Sequence, residues 1–288
     1  MHQATVHQFT GVNARLGTME CLQGIAIRHV QQRTPTDVRA MDDAIACEVP
    51  VALHYNSMPF AVLMATPCDL ADLALGFSLS EAIIEAGDAW QLDDVREELE
   101  GFVVDMRIPD ARAETLSQRS RPMPSYGGCG ICGSASIEDV MRMPPQVSSQ
   151  LGIEEVALHR ALNALHQQQP LNAETGATHA AGFANTRGEL LLVREDVGRH
   201  NALDKLIGGL HNASIPAGDG FAITTSRASF ELAMKAAHVG IPLLAAISAP
   251  TTLAIALAQS TGLGLVGFAR DRQCVVYAHP QRLRRTPA

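Results

Sequence analysis

Phe221-Ala-Ile-Thr-Thr225, Ile241-Pro-Leu-Leu-Ala-Ala-Ile-Ser248 and Leu263-Gly-Leu-Val-Gly-Phe268 are short apolar runs separated by Phe230 to Val239 and Thr251 to Gln259, both helical in spacing. Continuously apolar strands that alternate with helices predict a mostly parallel sheet covered on both faces, the α/β class. The pattern extends upstream, with a strand at Glu189-Leu-Leu-Leu-Val193 and a helix from Asn201 to Leu210 that turns Leu203, Leu206, Ile207 and Leu210 inward.

Further upstream the pattern changes. Glu48 to Tyr55 and Pro59 to Thr66 read as strands joined by a turn at Asn56-Ser57-Met58. Pro67 stops this sheet. Asp69 is placed to cap a helix with Leu70, Leu73, Ala74 and Phe77 on one face. A strand from Gly101 to Ile108 follows an acidic stretch, Glu81 to Glu100, which is either a solvated surface or a dock for a basic partner. Ile153 to Gln167 is helical in pattern. The expected organisation is a weakly structured extension over 1–41, a smaller β-containing α+β domain over 42–145, a larger α/β domain over 146–280 and a tail over 281–288. The extension is assigned because its residues are polar and lack a sustained period.

Composition narrows the function. A chain of 288 residues, 47% apolar, buries a real core and is not disordered. The formal charge of -8 argues against general nucleic-acid binding. No apolar run approaches the roughly 20 residues of a membrane span. Met1 to Thr10 has no secretory pattern, so a cytoplasmic location is expected. Of the six cysteines, Cys21, Cys47, Cys68 and Cys274 stand apart, whereas Cys129 and Cys132 form a CxxC. A disulfide scaffold would be denser in a shorter chain.

That CxxC is the first candidate for chemistry. A redox dithiol, half of a zinc site, a persulfide-carrying nucleophile and a structural thiol pair are all physically open. Gly127, Gly128, Gly130 and Gly133 bracket it, which suits a mobile arm better than a packed corner. No second CxxC supplies the remaining ligands of a closed zinc site. The second candidate, Arg194-Glu-Asp-Val-Gly-Arg-His200, packs five ionisable side chains between a strand and a helix. Arg199 and His200 suit an anion there, and an ion-paired loop joining Asp196 to Arg199 is the plain alternative. Three further loops follow successive strands: Thr224-Thr-Ser-Arg-Ala-Ser229, Ser248-Ala-Pro-Thr-Thr252 and Phe268-Ala-Arg-Asp-Arg-Gln273. Helix starts favour anions, although a lone Ser is more often only an N-cap. If the strands are parallel, these loops form one extended anion-binding ledge, sized for a nucleotide or larger. His179, in Thr175-Gly-Ala-Thr-His-Ala-Ala181, is either a ligand or acid–base group or a packed, hydrogen-bonded residue.

Taken in order, these segments resemble the FdhD family of formate dehydrogenase accessory sulfurtransferases. The resemblance runs from about Asp42 to His279. It includes Glu48-Val-Pro-Val-Ala-Leu53, Ala65-Thr-Pro-Cys-Asp-Leu70, Leu75-Gly-Phe-Ser-Leu-Ser-Glu81, Cys129-Gly-Ile-Cys-Gly133 and Thr175-Gly-Ala-Thr-His-Ala180. Its most specific part is Arg194-Glu-Asp-Val-Gly-Arg-His-Asn-Ala-Leu-Asp-Lys205, and Ser226-Arg-Ala-Ser-Phe-Glu231 and Gly267-Phe-Ala-Arg270 complete it. The resemblance implies a cytidine-deaminase-like fold for the C-terminal domain and a homodimer. It implies a sulfurtransferase that receives persulfide sulfur from a cysteine desulfurase and passes it to molybdenum. The acceptor would be Mo-bis(molybdopterin guanine dinucleotide), before its insertion into formate dehydrogenase.

On the same ground Cys129 matches the persulfide carrier and Cys132 an assisting or resolving thiol. Phe268, Ala269, Arg270, Asp271, Arg272 and Gln273 match the cofactor-binding segment. The ledge adds Ser226 and Arg227 to the expected cofactor contacts, with Arg199 and His200 stabilising charge. No intrinsic metal, nucleic-acid partner or membrane partner is expected. A non-catalytic cofactor chaperone and a dithiol oxidoreductase are the rival functions. Deaminase chemistry is not expected, because Ala180-Ala181 rather than a catalytic Glu follows His179, and the CxxC precedes it.

Overall fold

The computed structural model describes residues 24–119, 143–270 and 272–285. Its first element corrects, for residues 25–41, the expectation of a weakly structured extension over 1–41, whose residues 1–23 lie outside the described ones. Strands β1 (Ile25–Arg33) and β2 (Val38–Ala46) pair antiparallel from Ile25↔Ala46 to Arg33↔Val38. The turn is closed by Thr34 N–H donating to the Asp37 carbonyl at 2.9 Å. Both faces of this ribbon are largely exposed, so no apolar alternation marked it. The Thr34-Pro-Thr-Asp37 turn was the available signal.

Strands β3 (Val49–Tyr55), β4 (Met58–Ala65), β5 (Gln91–Glu98) and β6 (Gly101–Arg107) form a sheet in the order β4-β3-β6-β5. In β3 the alternate residues Val49, Val51, Leu53 and Tyr55 are buried. The β3–β4 turn is Asn56-Ser57, both at positive φ (50° and 66°), as a two-residue hairpin requires. Many acids of 81–100 are paired within the fold: Glu85 and Asp88 with Arg112 of α2 (Asp110–Arg119), and Asp94 and Glu98 with Arg96. Helix α1 (Leu70–Ser80) is buried almost all round, not on one face. Asp69 occupies its N-cap position at φ 51° but makes no capping bond. Its carboxylate instead lies 3.6 Å from Arg194.

The chain continues through β7 (Ile153–Glu154), α3 (Glu155–Gln167), α4 (Pro170–Thr175), β8 (His179–Asn185), β9 (Leu190–Asp196) and α5 (Arg199–Asn212). It then runs through β10 (Gly220–Thr224), α6 (Phe230–His238), β11 (Leu243–Ala246), α7 (Thr252–Thr261), β12 (Gly264–Arg270), β13 (Gln273–Ala278) and β14 (Leu283–Arg284). The larger sheet has the order β13-β12-β11-β10-β8-β9. Strands β10, β11 and β12 are mutually parallel. Strand β8 is antiparallel to both β10 and β9, so β9 runs with the parallel set. The expected mostly parallel α/β sheet is present, with β8 and β13 as the reversed strands. The expected tail over 281–288 is not one in its described part: Leu283 is buried, and β14 pairs with β7. Cys47, expected to stand apart, is buried and disulfide-bonded, whereas Cys68 and Cys274 are free.

One apolar cluster runs from Val49 and Leu63 through Leu73 and Phe77 to Leu203, Leu244 and Leu265, crossing the expected boundary at 145/146. The two sheets therefore share a core, with α1 and α5 between them. These helices touch through reciprocal glycines. A Cβ on Gly76 of α1 would collide with the Asp204 carbonyl of α5, and a Cβ on Gly208 of α5 with the Asp72 carbonyl of α1. Gly208→Ala should therefore force the helices apart and cost about 1–3 kcal/mol, the usual range for overpacking. Urea denaturation measures this, and a variant as stable as wild type would show that the crossing is not locked.

Candidate functional site

Sequence places Arg194 to Lys205 across a strand end and a helix start, and the structure shows why. Arg194, Glu195 and Asp196 finish β9, whereas Arg199 and His200 already lie in the first turn of α5. The alternative of an ion-paired loop that joins Asp196 to Arg199 is not found. Asp196 pairs instead with Lys205, in the body of α5, at 2.7 Å, with both side chains fully buried. The Asp196 carboxylate also accepts from the backbone N–H of Thr66 (3.0 Å) and Gly198 (2.7 Å) and from Asn201 Nδ2 (3.0 Å). Lys205 Nζ donates to the Thr66 carbonyl at 2.9 Å. A buried charge survives only when paired and hydrogen-bonded, and both conditions hold here. The network pins the end of β4 to the end of β9, and so fixes where α5 begins.

Four strands sharing a direction bring their C-terminal ends to one edge, where open α/β sheets offer sites. Main-chain bonds link the loops along that edge. Thr225 N–H donates to the Ala180 carbonyl at 3.0 Å, and Thr225 Oγ1 accepts from Ala180 N–H at 2.9 Å. Ile247 N–H donates to Thr224, Ala228 N–H to Ala249 and Phe268 N–H to Ser248. The three expected loops are thus one continuous ledge that starts at His179.

The individual residues divide. Cys129, Cys132 and Asp271 lie outside the described residues. Ser226 is buried, bonded to Thr224 Oγ1 at 2.9 Å and donating to the Arg227 carbonyl at 3.0 Å, so its hydroxyl is engaged within the loop. Ser229 is the N-cap of α6, and Thr251 that of α7. Arg227, Arg270, Arg272 and Gln273 are exposed, and Ala269 is buried. Phe268 to Gln273 is not a plain loop. Phe268 to Arg270 end β12 and Gln273 opens β13, and the two strands pair at Arg270↔Gln273 and are irregular between Gly267 and Arg270. Phe268 sits there at φ 50° and Arg272 at φ 62°. Left-handed backbone at a non-glycine residue costs about 1–3 kcal/mol and clusters at functional positions. The irregularity turns the Phe268 ring outward, 38% exposed.

His200 is buried, and its Nε2 lies 2.9 Å from Glu231, which also accepts from Ser229 Oγ at 3.1 Å. The His200 hydrogen bond holds the Glu231 carboxyl below its ordinary value, so Glu231 is an anion behind the ledge. Glu231 was not assigned a role from sequence, because it stands 31 residues from His200 and no local spacing connects them. Arg199 approaches the same carboxylate at 4.0 Å. A cavity of about 710 Å³ lies against β9 and α4, lined in part by Cys68, Leu171, Leu192 and Arg194. None of the residues expected to bind cofactor lines it. Among the described residues no cluster of three or more metal-ligating side chains occurs, and no helix is long and apolar enough to cross a membrane.

The arrangement defines a shared-core α/β protein with an arginine-bearing edge. Residues 46–284 match the model of the FdhD/NarQ family, and the chain belongs to it. It is 56% identical over 260 residues to the sulfur carrier protein FdhD of Xanthomonas axonopodis pv. citri, covering 90% of this chain and 92% of that one. It is 44% identical over 245 residues to the sulfur carrier protein FdhD of Bordetella petrii, covering 85% and 88%. Its fold is that of the crystal structure of a candidate formate dehydrogenase accessory protein from Desulfotalea psychrophila. The TM-score is 0.72, with 23% identity over 90% of this chain and 99% of that one.

Removing one partner of the buried pair leaves the other charge uncompensated. Lys205→Met should destabilise the fold by about 3–5 kcal/mol. A shift of the denaturation midpoint reads this, and an unshifted midpoint would show that Asp196 finds another counter-ion.

Proposed function

We propose that this protein is a sulfur carrier that serves formate dehydrogenase. The observation that carries the reading is the 56% identity, over 90% of the chain, to a relative named a sulfur carrier protein, and the fold neighbour named a formate dehydrogenase accessory protein supplies the client. The family match also spans the segment holding Cys129-Gly-Ile-Cys-Gly133. The Cys129 thiolate attacks the terminal sulfur of a persulfide on a cysteine desulfurase. The donor's S–S bond breaks, the desulfurase thiolate leaves, and a persulfide forms on Cys129. Cys132, three residues on, assists or resolves. The reaction takes place in the cytoplasm, with the carrier working as a homodimer.

The acceptor substrate is molybdenum in Mo-bis(molybdopterin guanine dinucleotide), and the ledge supports this part of the reading. Two nucleotide arms carry phosphate chains, and Arg227, Arg270 and Arg272 present exposed guanidinium groups along it. Arginine matches phosphate bidentately and stays charged at any working pH. The backbone of 268–270, bent at Phe268, lies against the loop that follows β11. Arg199 adds charge where β9 meets α5, and His200, buried against Glu231, shapes the site behind it. Ser226 contributes through the shape of its loop rather than through a free hydroxyl, because its hydroxyl is already bonded.

Intact-mass measurement after incubation with a cysteine desulfurase and cysteine tests the carrier step. Wild type should gain a reducible mass of about 32 Da, one sulfur atom exchanged between thiols, and Cys129→Ala should gain none. A gain retained in Cys129→Ala would move the carrier role to another thiol. No gain in wild type would leave the chain as a cofactor-binding chaperone.

A further inference from the structure

Two polar side chains at the start of the ledge keep hydrogen-bonding capacity unused among the described residues. His179 opens β8 directly opposite Asp196 of β9 and is half-buried. Its ring makes no hydrogen bond among the described residues, unlike the packed histidine that sequence suggests as one alternative. Arg199 stands on the first turn of α5. Its Nε is buried without a hydrogen-bond partner among the described residues, and its Nη2 makes only a long ion pair with Glu231, at 4.0 Å. The neighbouring groups are already committed, Asp196 to Lys205 and His200 to Glu231. A buried donor left without an acceptor is rare and costly in a native protein. Arg199 lies within electrostatic reach of the His179 imidazole, and a guanidinium fork and an imidazole are both donors suited to a tetrahedral oxyanion.

We propose that His179 and Arg199 form one subsite for a phosphate group, and that His179 takes up a proton when the group binds. This rests on the reading of the ledge as a phosphate-binding edge and adds to it a specific, proton-coupled contact. The charged and titratable groups facing His179 are Asp196 from β9 and Arg199 and His200 from α5, with Glu231 of α6 behind His200. Burial, then Arg199 and His200, hold His179 below the ordinary imidazole value, against the opposing effect of Asp196. The free protein therefore carries a neutral ring there. An arriving dianion offsets Arg199 and favours the imidazolium, so binding strengthens as pH falls. It weakens as pH rises through the bound-state value of His179 and then levels off.

Sulfate is the probe, a tetrahedral dianion whose own charge is constant across the working range. Calorimetric titration of the full-length protein between about pH 8 and pH 6 brackets the imidazole range. Wild type should gain about threefold or more in sulfate affinity over this range, as part of the roughly tenfold that a tenfold tighter hold of His179 on its proton gives once pH lies well below the free-state value. His179→Asn should abolish the pH dependence. Arg199→Gln should lose binding, and Arg199→Lys, which keeps the charge, should retain the pH dependence. In wild type alone, the His179 ring resonance should titrate at higher pH with sulfate than without it, so the test stands even if a variant fails to fold. A pH-independent affinity in wild type, an unchanged pH slope in His179→Asn, or full binding by Arg199→Gln would overturn the subsite. Persulfide formation on Cys129 is read separately by mass, so failure of the subsite and failure of the carrier reading are distinct results.

Discussion

The Asp196–Lys205 ion pair is the interaction on which the rest of the site depends. It lies where the smaller sheet, the larger sheet and α5 meet, and its atoms bond to all three. Asp196 ends β9, Thr66 follows the end of β4, and Lys205 lies in the middle of α5. Two full charges in a dry interior tolerate no slack, because misalignment would leave a charge or a backbone group without a partner. The start of α5 is therefore held in place, and with it Arg199 and His200. A second buried pair, Lys235 with Asp204 at 3.0 Å, ties α6 to α5 in the same way, and Glu81 closes it from beyond the end of α1. The helices behind the ledge are thus located by electrostatics, and the strands in front of it by main-chain pairing.

Much of this was legible in the sequence, for identifiable reasons. The strands β10, β11 and β12 are continuously apolar because both faces are covered, and their helices carry clear inward stripes. The hairpin at Asn56-Ser57 was readable because few residue types accept consecutive positive φ values. The ledge followed from connectivity alone, since strands that share a direction must share an edge. Other elements gave no local signal. The β1–β2 ribbon buries neither face well, so its residues show no alternation. Strand β13 went unread, because only its first residue, Gln273, falls in the segment read as a binding loop and Cys274 to Ala278 follow it too briefly to show a period. The helix α1 showed an apolar face, but it is buried all round through contacts made far away in the chain.

The site residues divide in the same manner. Arg194 to Lys205 stands out by charge density, yet sequence could not reveal that Lys205 is fully buried or that Asp196 turns to it and not to Arg199. Those choices depend on Thr66, more than a hundred residues earlier. The link from His200 to Glu231 is likewise set by the packing of α5 against α6. Ser226 and Ser229 look alike in sequence. Only the backbone decides that one caps a helix and the other closes on its own loop.

The links between neighbouring loops of the ledge run largely from one main chain to another: Thr225 to Ala180, Ala228 to Ala249, Phe268 to Ser248. Such bonds do not depend on which side chain each residue carries. The outline of the edge is therefore uncoupled from its chemistry, and its exposed arginines can be exchanged one at a time without reshaping the surface that holds them. A scaffold of this kind lets recognition be retuned at single positions, because the geometry is stored in the backbone and the selectivity is carried only by the side chains mounted on it.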